Sequence, residues 1–157
     1  AANACVLRAF PAYHNYLLRQ TVFSGVLEAV AALGIPLVLS LENSIDWPGV
    51  YALLDECPGL TCILCDTGIW NGNRYLWPLL DRFERVYAET SCLSLSAGGL
   101  EAAVAAFGAE RLLFGSGYPV RYPEAPLMDL HQANLLETEK ELIARANLER
   151  ILEESAL

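Results

Sequence analysis

The chain has 157 residues, enough for one domain with a buried core, and 54% of them are hydrophobic. The formal charge is −9, from 10 basic and 19 acidic residues without a basic cluster, which argues against nucleic acid as a partner. No apolar run approaches the ~18 residues that a membrane span requires, so no membrane partner is expected either.

The cysteines indicate a reducing environment. There are five of them, an odd number, at positions 5, 57, 62, 65 and 92. Cys62 and Cys65 have the spacing of a redox or zinc pair, but they fall in a strand-like run, where residues three apart point to opposite faces. We therefore predict reduced core thiols in a cytoplasmic protein.

Strand-like runs recur along the whole chain. They span residues 5–10, 37–42, 61–66, 86–90 and 111–115, and their starts lie 32, 24, 25 and 25 residues apart. Helical patterns separate them. Regular alternation of strands and helices at this period predicts parallel βα units in a single α/β domain over residues 1–157.

Helix signals fill the intervals between the strands. The expected helices cover residues 22–33, 47–57, 73–83, 99–107 and a final region from 138 onward. Asp46 is placed to cap the second helix, with Pro48 in its first turn. Thr138 and Glu141 have capping-box spacing. Residues 118–133 carry three prolines and are expected to form an irregular loop that covers a site or an interface.

The last strand-like run leads into a turn of small residues. Residues 111–114 are followed by Gly115, Ser116 and Gly117, and the turn is closed by Tyr118 and Pro119. The turn after a buried parallel strand is where α/β proteins place ligand-binding groups. Packing of the strand against its loop is the alternative reading. Ser116 and Tyr118 are therefore candidate substrate-binding residues.

This turn and its surroundings resemble a known family. Residues 106–111 read Ala-Phe-Gly-Ala-Glu-Arg, residues 147–152 close the final helix, and residues 7–16 precede the first helix. Together they resemble the C-terminal part of the amidohydrolase superfamily, in its amidohydrolase-related metal-dependent hydrolase branch. The resemblance implies strands four to eight of a TIM-type (β/α)8 barrel. An open doubly wound five-stranded sheet is the alternative, and it would show a reversal in strand order.

The resemblance also bears on metal binding. Members that bind metal use histidines on the fifth and sixth strands and an aspartate on the eighth, and these positions fall at Ser40, Asp66 and Gly117. A single carboxylate does not hold a zinc ion. The resemblance therefore implies a hydrolase that acts on a small molecule without a metal cofactor. A non-catalytic relative that serves in binding or assembly is the alternative.

Two residues are candidates for proton transfer. Asp66 follows an apolar strand, where it is either an acid or base with a raised pKa or a cap of the following turn. His14 lies in the loop after the first strand, where it either transfers a proton or holds the loop by a hydrogen bond.

Three further strand-end residues are candidates for substrate binding. Arg8 interrupts an apolar strand, so it either pairs with Asp66 or Glu42 or grips an anionic ligand. Ser40 and Glu42 end the second strand-like run. We expect Arg8, His14 and Asp66 to line one pocket.

Five βα units do not close a barrel of eight strands. The first and last strands are then apolar edges without the proline, lysine or bulge that usually protects an exposed edge. We expect another segment to cover these edges. It would be either a missing N-terminal half-barrel or a second copy in a homo-oligomer.

Overall fold

Five parallel strands form one sheet in the order β1-β2-β3-β4-β5 in the computed structural model, which describes residues 6–42, 44–68, 74–92 and 97–155. The strands are β1 (Leu7–Arg8), β2 (Leu37–Ser40), β3 (Cys62–Cys65), β4 (Val86–Glu89) and β5 (Leu112–Leu113). Each strand pairs with the next one along the chain, so the order has no reversal. The predicted barrel-type arrangement is confirmed, and the doubly wound alternative is wrong.

The described helices follow the strands. They are α1 (Gln20–Ala32), α2 (Trp47–Glu56), α3 (Leu76–Arg82), α4 (Gly99–Phe107), α5 (Glu124–Gln132), α6 (Glu137–Glu141) and α7 (Asn147–Glu153). The Asp46 side chain caps α2 as predicted, with Oδ1 accepting the Gly49 N–H at 2.9 Å.

Two expectations about the C-terminal third of the chain are wrong. The segment expected to be an irregular loop contains α5. The capping contact of α6 also lies two residues earlier than predicted, because the Glu139 carboxylate accepts the Leu136 N–H at 2.8 Å. The predicted helix start at residue 73 lies outside the described residues.

One face of the sheet carries the main core. Leu37, Leu39, Leu64 and Leu112 are fully buried on this face. They pack with buried residues of α1 to α4 in a single cluster. The apolar strand runs are continuous because the second face of the sheet is covered as well.

The second face carries a smaller cluster, in which Ile63, Tyr87 and Leu113 pack with Ile151 of α7. Successive strand residues point to opposite faces, so these three side chains lie opposite the main core. Ile151 is 2% exposed. The C-terminal helix therefore lies across the second face of the sheet.

The same helix caps the outer edge of β5. A π-helical turn (Leu142–Ala146) lets the Ile143 carbonyl accept the Phe114 N–H at 2.8 Å. The buried Asn147 side chain donates to the carbonyls of Ala109 and Leu112 at 2.8 and 2.9 Å. The expectation that this edge requires a separate covering segment is wrong, because the chain's own C-terminal helix satisfies its polar groups.

The β1 side of the sheet differs from the β5 side. Within the described residues β1 pairs only with β2. Val22 and Val26 lie on one face of α1, which follows β1, and they are 54% and 52% exposed. None of the helices in the described part of the chain is long and apolar enough to cross a membrane.

Candidate functional site

A cavity of about 320 Å³ opens at the C-terminal edge of the second face of the sheet. It is called the Glu89 cavity here. It is lined by Arg8, Glu42, Cys65, Asp66, Glu89, Ser91 and residues 115–121. Arg8, Cys65 and Glu89 belong to β1, β3 and β4, and residues 115–121 follow β5. Strand alternation therefore brings polar side chains from several strands to one end of the sheet, where βα proteins place their reactive groups.

Arg121 joins two carboxylates at the wall of this cavity. Its Nη1 donates to Asp66 Oδ1 at 2.9 Å, and its Nη2 donates to Glu42 Oε2 at 3.2 Å. Ser40 Oγ donates to the other Asp66 oxygen, Oδ2, at 2.6 Å. Both oxygens of Asp66 therefore have partners within the protein.

These contacts determine the charge state of Asp66. Burial alone raises the pKa of this carboxyl, but hydrogen bonds from Ser40 and Arg121 and the nearby positive charges outweigh it, so the pKa is lowered. The raised pKa considered for Asp66 from the sequence is wrong. Asp66 also has a positive φ of 56°, a backbone conformation that is uncommon outside glycine.

The pKa of the Glu89 carboxyl is raised, whereas that of Asp66 is lowered. Burial raises the pKa of Glu89, and hydrogen bonds from Ser91 offset this only in part. Its Oε1 accepts the Ser91 N–H and its Oε2 accepts the Ser91 hydroxyl, both at 2.7 Å. It makes no ion pair with any residue that the structure describes. Glu89 is therefore an oriented carboxyl that holds its proton to higher pH than an exposed glutamate.

Because Gly115 has no side chain, the Glu89 carboxyl can lie directly against the backbone at position 115. A Cβ atom on Gly115 would stand 1.3 Å from Glu89 Oε1 and 2.0 Å from its Cδ. No side chain therefore fits at position 115 while Glu89 keeps its position. The glycine of the predicted turn is explained by this close approach.

Arg8 contributes a positive charge to the cavity. It is exposed, its guanidinium lies 5.2 Å from the centre of the Phe10 ring, and it makes no ion pair with the described residues. The predicted pairing of Arg8 with Asp66 or Glu42 is wrong, because Arg121 takes both carboxylates. The alternative prediction, that Arg8 grips an anionic ligand, remains a prediction.

His14 does not line the Glu89 cavity. It is exposed and lies among aromatic rings, with its ring centre 5.3 Å from that of Tyr13 and 6.0 Å from that of Phe10. Its backbone N–H donates to the Phe10 carbonyl at 3.0 Å. The expectation that His14 shares one pocket with Arg8 and Asp66 is therefore wrong, although those two residues do line the same cavity.

The remaining sequence candidates lie at or next to the cavity. Glu42, Ser116 and Tyr118 line it, and Tyr118 is 74% exposed. Ser40 is buried and contributes through its hydrogen bond to Asp66. Their predicted roles in substrate binding remain predictions.

The residues at the family's metal positions do not fit a metal ion. Ser40 offers a hydroxyl that donates to Asp66, the Asp66 oxygens are held by Ser40 and Arg121, and Gly117 has no side chain. Within the described ranges there is also no group of three histidine, cysteine, aspartate or glutamate side chains that could hold a metal.

Sequence reasoning missed Glu89 and Arg121 as site residues. Glu89 lies at the end of the fourth strand-like run, but its burial over Gly115 is a tertiary contact. Arg121 lies in the segment that was read as an irregular loop, 55 residues from Asp66 in sequence. The sequence signal for Arg121 as a site residue was its position shortly after the glycine-rich turn at the end of the last strand.

The fold and the strand-end cavity define a protein of the (β/α)-barrel class with a polar site at the C-terminal ends of its strands. The sequence profile of the amidohydrolase family matches residues 5–157. The chain therefore belongs to the amidohydrolase family, as its sequence resemblance predicted.

Several solved structures have the same fold as this chain. An uncharacterised TIM-barrel protein from Bordetella bronchiseptica has 20% identity and a TM-score of 0.69, with 87% of this chain and 52% of that chain covered. 2,6-Dihydroxybenzoate decarboxylase from Rhizobium has 18% identity and a TM-score of 0.63, covering 80% of this chain and 53% of the decarboxylase. 4-Oxalomesaconate hydratase from Rhodopseudomonas palustris has 13% identity and a TM-score of 0.65, covering 95% of this chain and 55% of the hydratase.

These similarities establish the fold alone, because all three identities are low. The chain spans about half the length of these structures. Comparison with curated proteins gave no significant match.

Proposed function

We propose that this chain belongs to a metal-independent hydrolase that acts on a small molecule bound in the Glu89 cavity. The observation that carries the proposal is the Glu89 carboxyl, which lines the cavity, is held by Ser91 and has a raised pKa. A protonated carboxyl at the wall of a cavity is suited to general acid catalysis.

The residues divide into three roles. Glu89 gives its proton to the leaving oxygen or nitrogen while water adds to the substrate carbon, and it regains a proton from that water. One water is consumed, one carbon–oxygen bond forms and the bond to the leaving group breaks. Arg8 holds an anionic group of the substrate. Asp66 stays ionised and fixes Arg121 at the cavity wall.

Two further parts of the proposal concern the surroundings of the protein. Cys57, Cys62, Cys65 and Cys92 are free thiols, which supports a reducing, cytoplasmic location. Among the described residues β1 pairs on one side only, which supports association with either a second copy or a preceding part of a longer barrel.

A non-catalytic relative is the second candidate function. It is favoured by the pairing of Glu42 and Asp66 with Arg121, which leaves fewer carboxylates available for chemistry. In that case the Glu89 cavity binds its ligand without converting it.

The test is hydrolysis of a panel of small carboxylated esters, amides and lactones after treatment with EDTA. We expect hydrolysis by the wild-type chain, a loss of about 10²–10⁴-fold in Glu89→Gln, and unchanged rates in His14→Asn. The protonated form of Glu89 is the active one, so the rate should fall as the pH rises through its raised pKa. Loss of activity on EDTA treatment, or an active Glu89→Gln variant, would contradict the proposal. Binding of a panel member by calorimetry without turnover would favour the non-catalytic alternative.

A further inference from the structure

We propose that the Arg121 guanidinium is the resident cation of this site and holds the Glu42 and Asp66 carboxylates in place of a divalent metal ion. This inference concerns what neutralises the carboxylates, so it does not depend on turnover. It starts from the mismatch between the residues at Ser40, Asp66 and Gly117 and the metal ligands that the family resemblance implies.

The first argument is the geometry of the ion pairs. The two terminal nitrogens of Arg121 reach different carboxylates, Asp66 at 2.9 Å and Glu42 at 3.2 Å. A planar guanidinium with several donors can bridge two carboxylates in this way, whereas an ammonium is a single point of charge. The Arg121 and Asp66 side chains are 29% and 16% exposed, so solvent screens this pair less than a surface ion pair.

The second argument is that the surrounding residues fit Arg121. The Ser40 hydroxyl takes the Asp66 oxygen that Arg121 does not reach, and Ser40 itself is 1% exposed. A donor at this position supports an ionised Asp66 and competes with a metal ion for this oxygen. Both Asp66 oxygens therefore have donors among the described residues without an added ion.

The third argument concerns Gly117, which stands where metal-binding members of the family have an aspartate. A Cβ atom on Gly117 would lie 3.2 Å from both Cβ and Cδ of Arg121, closer than such atoms normally approach. Gly117 also has a φ of +67°, and its carbonyl accepts the Arg121 N–H at 2.9 Å. The missing side chain gives the stem of Arg121 room to fold back over the turn towards Asp66.

The cation is thus covalently part of the chain. A divalent ion that bound both carboxylates would compete with both contacts of Arg121, and it would bring a double charge next to two guanidinium groups, those of Arg8 and Arg121. Chelators should leave the site intact, because the positive charge that holds the carboxylates cannot be extracted.

The first experiment titrates the wild-type chain with Mn²⁺ while amide signals are followed by NMR. We expect the signals of Ser40, Asp66 and Thr67 to keep their intensity relative to those of the exposed acidic segment around Glu141. Selective, stoichiometric broadening at Ser40 and Asp66 would overturn the proposal. This measurement needs no variant and therefore does not depend on how a substitution folds.

The second experiment asks whether a free guanidinium ion can replace the side chain. Arg121→Met should lower the melting temperature, and millimolar methylguanidinium should restore part of that loss. Arg145→Met is the matched control, because Arg145 also bridges two carboxylates, Glu141 and Glu149, on an exposed helix surface. Methylguanidinium should not change the melting temperature of the control or of the wild type. An Arg121→Met variant as stable as the wild type, or equal effects of methylguanidinium on both variants, would overturn the proposal.

Discussion

At the residue scale, the contact between Gly115 and Glu89 is the tightest constraint in the candidate site. Any side chain at position 115 competes with the Glu89 carboxylate for the same space. The carboxyl would have to rotate away from Ser91 and leave its two hydrogen bonds. Position 115 therefore controls the orientation of the proposed general acid.

We expect Gly115→Ala to destabilise the fold by about 1–3 kcal/mol, the usual cost of overpacking. The measurement is the free energy of unfolding in urea. In a Glu89→Ala background the same substitution should lower the free energy of unfolding by less, since the competing carboxylate is absent. An equal cost in both backgrounds would show that Glu89 is not the group displaced.

Gly25→Ala is the matched control for this substitution. Gly25 lies in α1, and a Cβ atom there would meet nothing within 4 Å. Alanine at an open helical position should stabilise the chain by up to about 1 kcal/mol. The two glycine substitutions are therefore expected to change the free energy of unfolding in opposite directions.

At the element scale, the edge strand β5 depends on the C-terminal helix. Asn147 is fully buried, and its amide nitrogen is the donor for two backbone carbonyls, those of Ala109 and Leu112. The π-helical turn beside it supplies the acceptor for Phe114. Strand and helix are held together by polar contacts as well as by packing.

We expect Asn147→Ala to cost about 1–3 kcal/mol, because the Leu112 carbonyl loses the Asn147 donor, whereas the Ala109 carbonyl keeps the Leu112 N–H. Asn147→Asp should be at least as damaging, because it keeps the shape but places a carboxylate against two carbonyl oxygens. Urea unfolding measures both effects, with Asn134→Ala as an exposed control. If Asn147→Ala unfolds like the control, the proposed edge cap does not stabilise the chain.

The elements also show what could be predicted from the sequence. The order of strands and helices and the cap at Asp46 follow from local patterns, since apolar periodicity and capping residues act over a few positions. Ion pairs across tens of residues leave no such pattern. Arg121 was therefore missed, and pairing with the Asp66 or Glu42 carboxylate was one of the two roles considered for Arg8. The position of α7 on the second face was also not predictable, because the packing of a helix on a sheet is a tertiary contact that local periodicity does not specify.

At the scale of the whole molecule, the β1 side carries exposed apolar side chains next to the edge of the sheet. Val22 and Val26 lie on one exposed face of α1, and Leu17 in the preceding loop is 71% exposed. A surface of this kind, next to a strand that pairs only with β2 in the part of the chain that the structure describes, is typical of an interaction site. We infer that a second copy of this chain can pack here.

We expect light scattering to give a mass that rises above 17.2 kDa with increasing concentration. The double substitution Val22→Lys with Val26→Lys should return the mass to that of one chain without loss of stability, because both side chains are exposed. A wild-type chain that remains at 17.2 kDa at every concentration would contradict this inference.

The cap that the C-terminal helix places on β5 restricts the symmetry of any such assembly. Head-to-tail pairing joins the β1 edge of one copy to the β5 edge of the next, and it can continue indefinitely into a filament. With β5 capped by Ile143 and Asn147, that route is blocked until the helix detaches. Edge pairing between two copies of this chain would then have to join two β1 sides about a two-fold axis, and such a contact is complete with two copies. The helix that completes the β5 edge would thereby favour a closed pair over a filament.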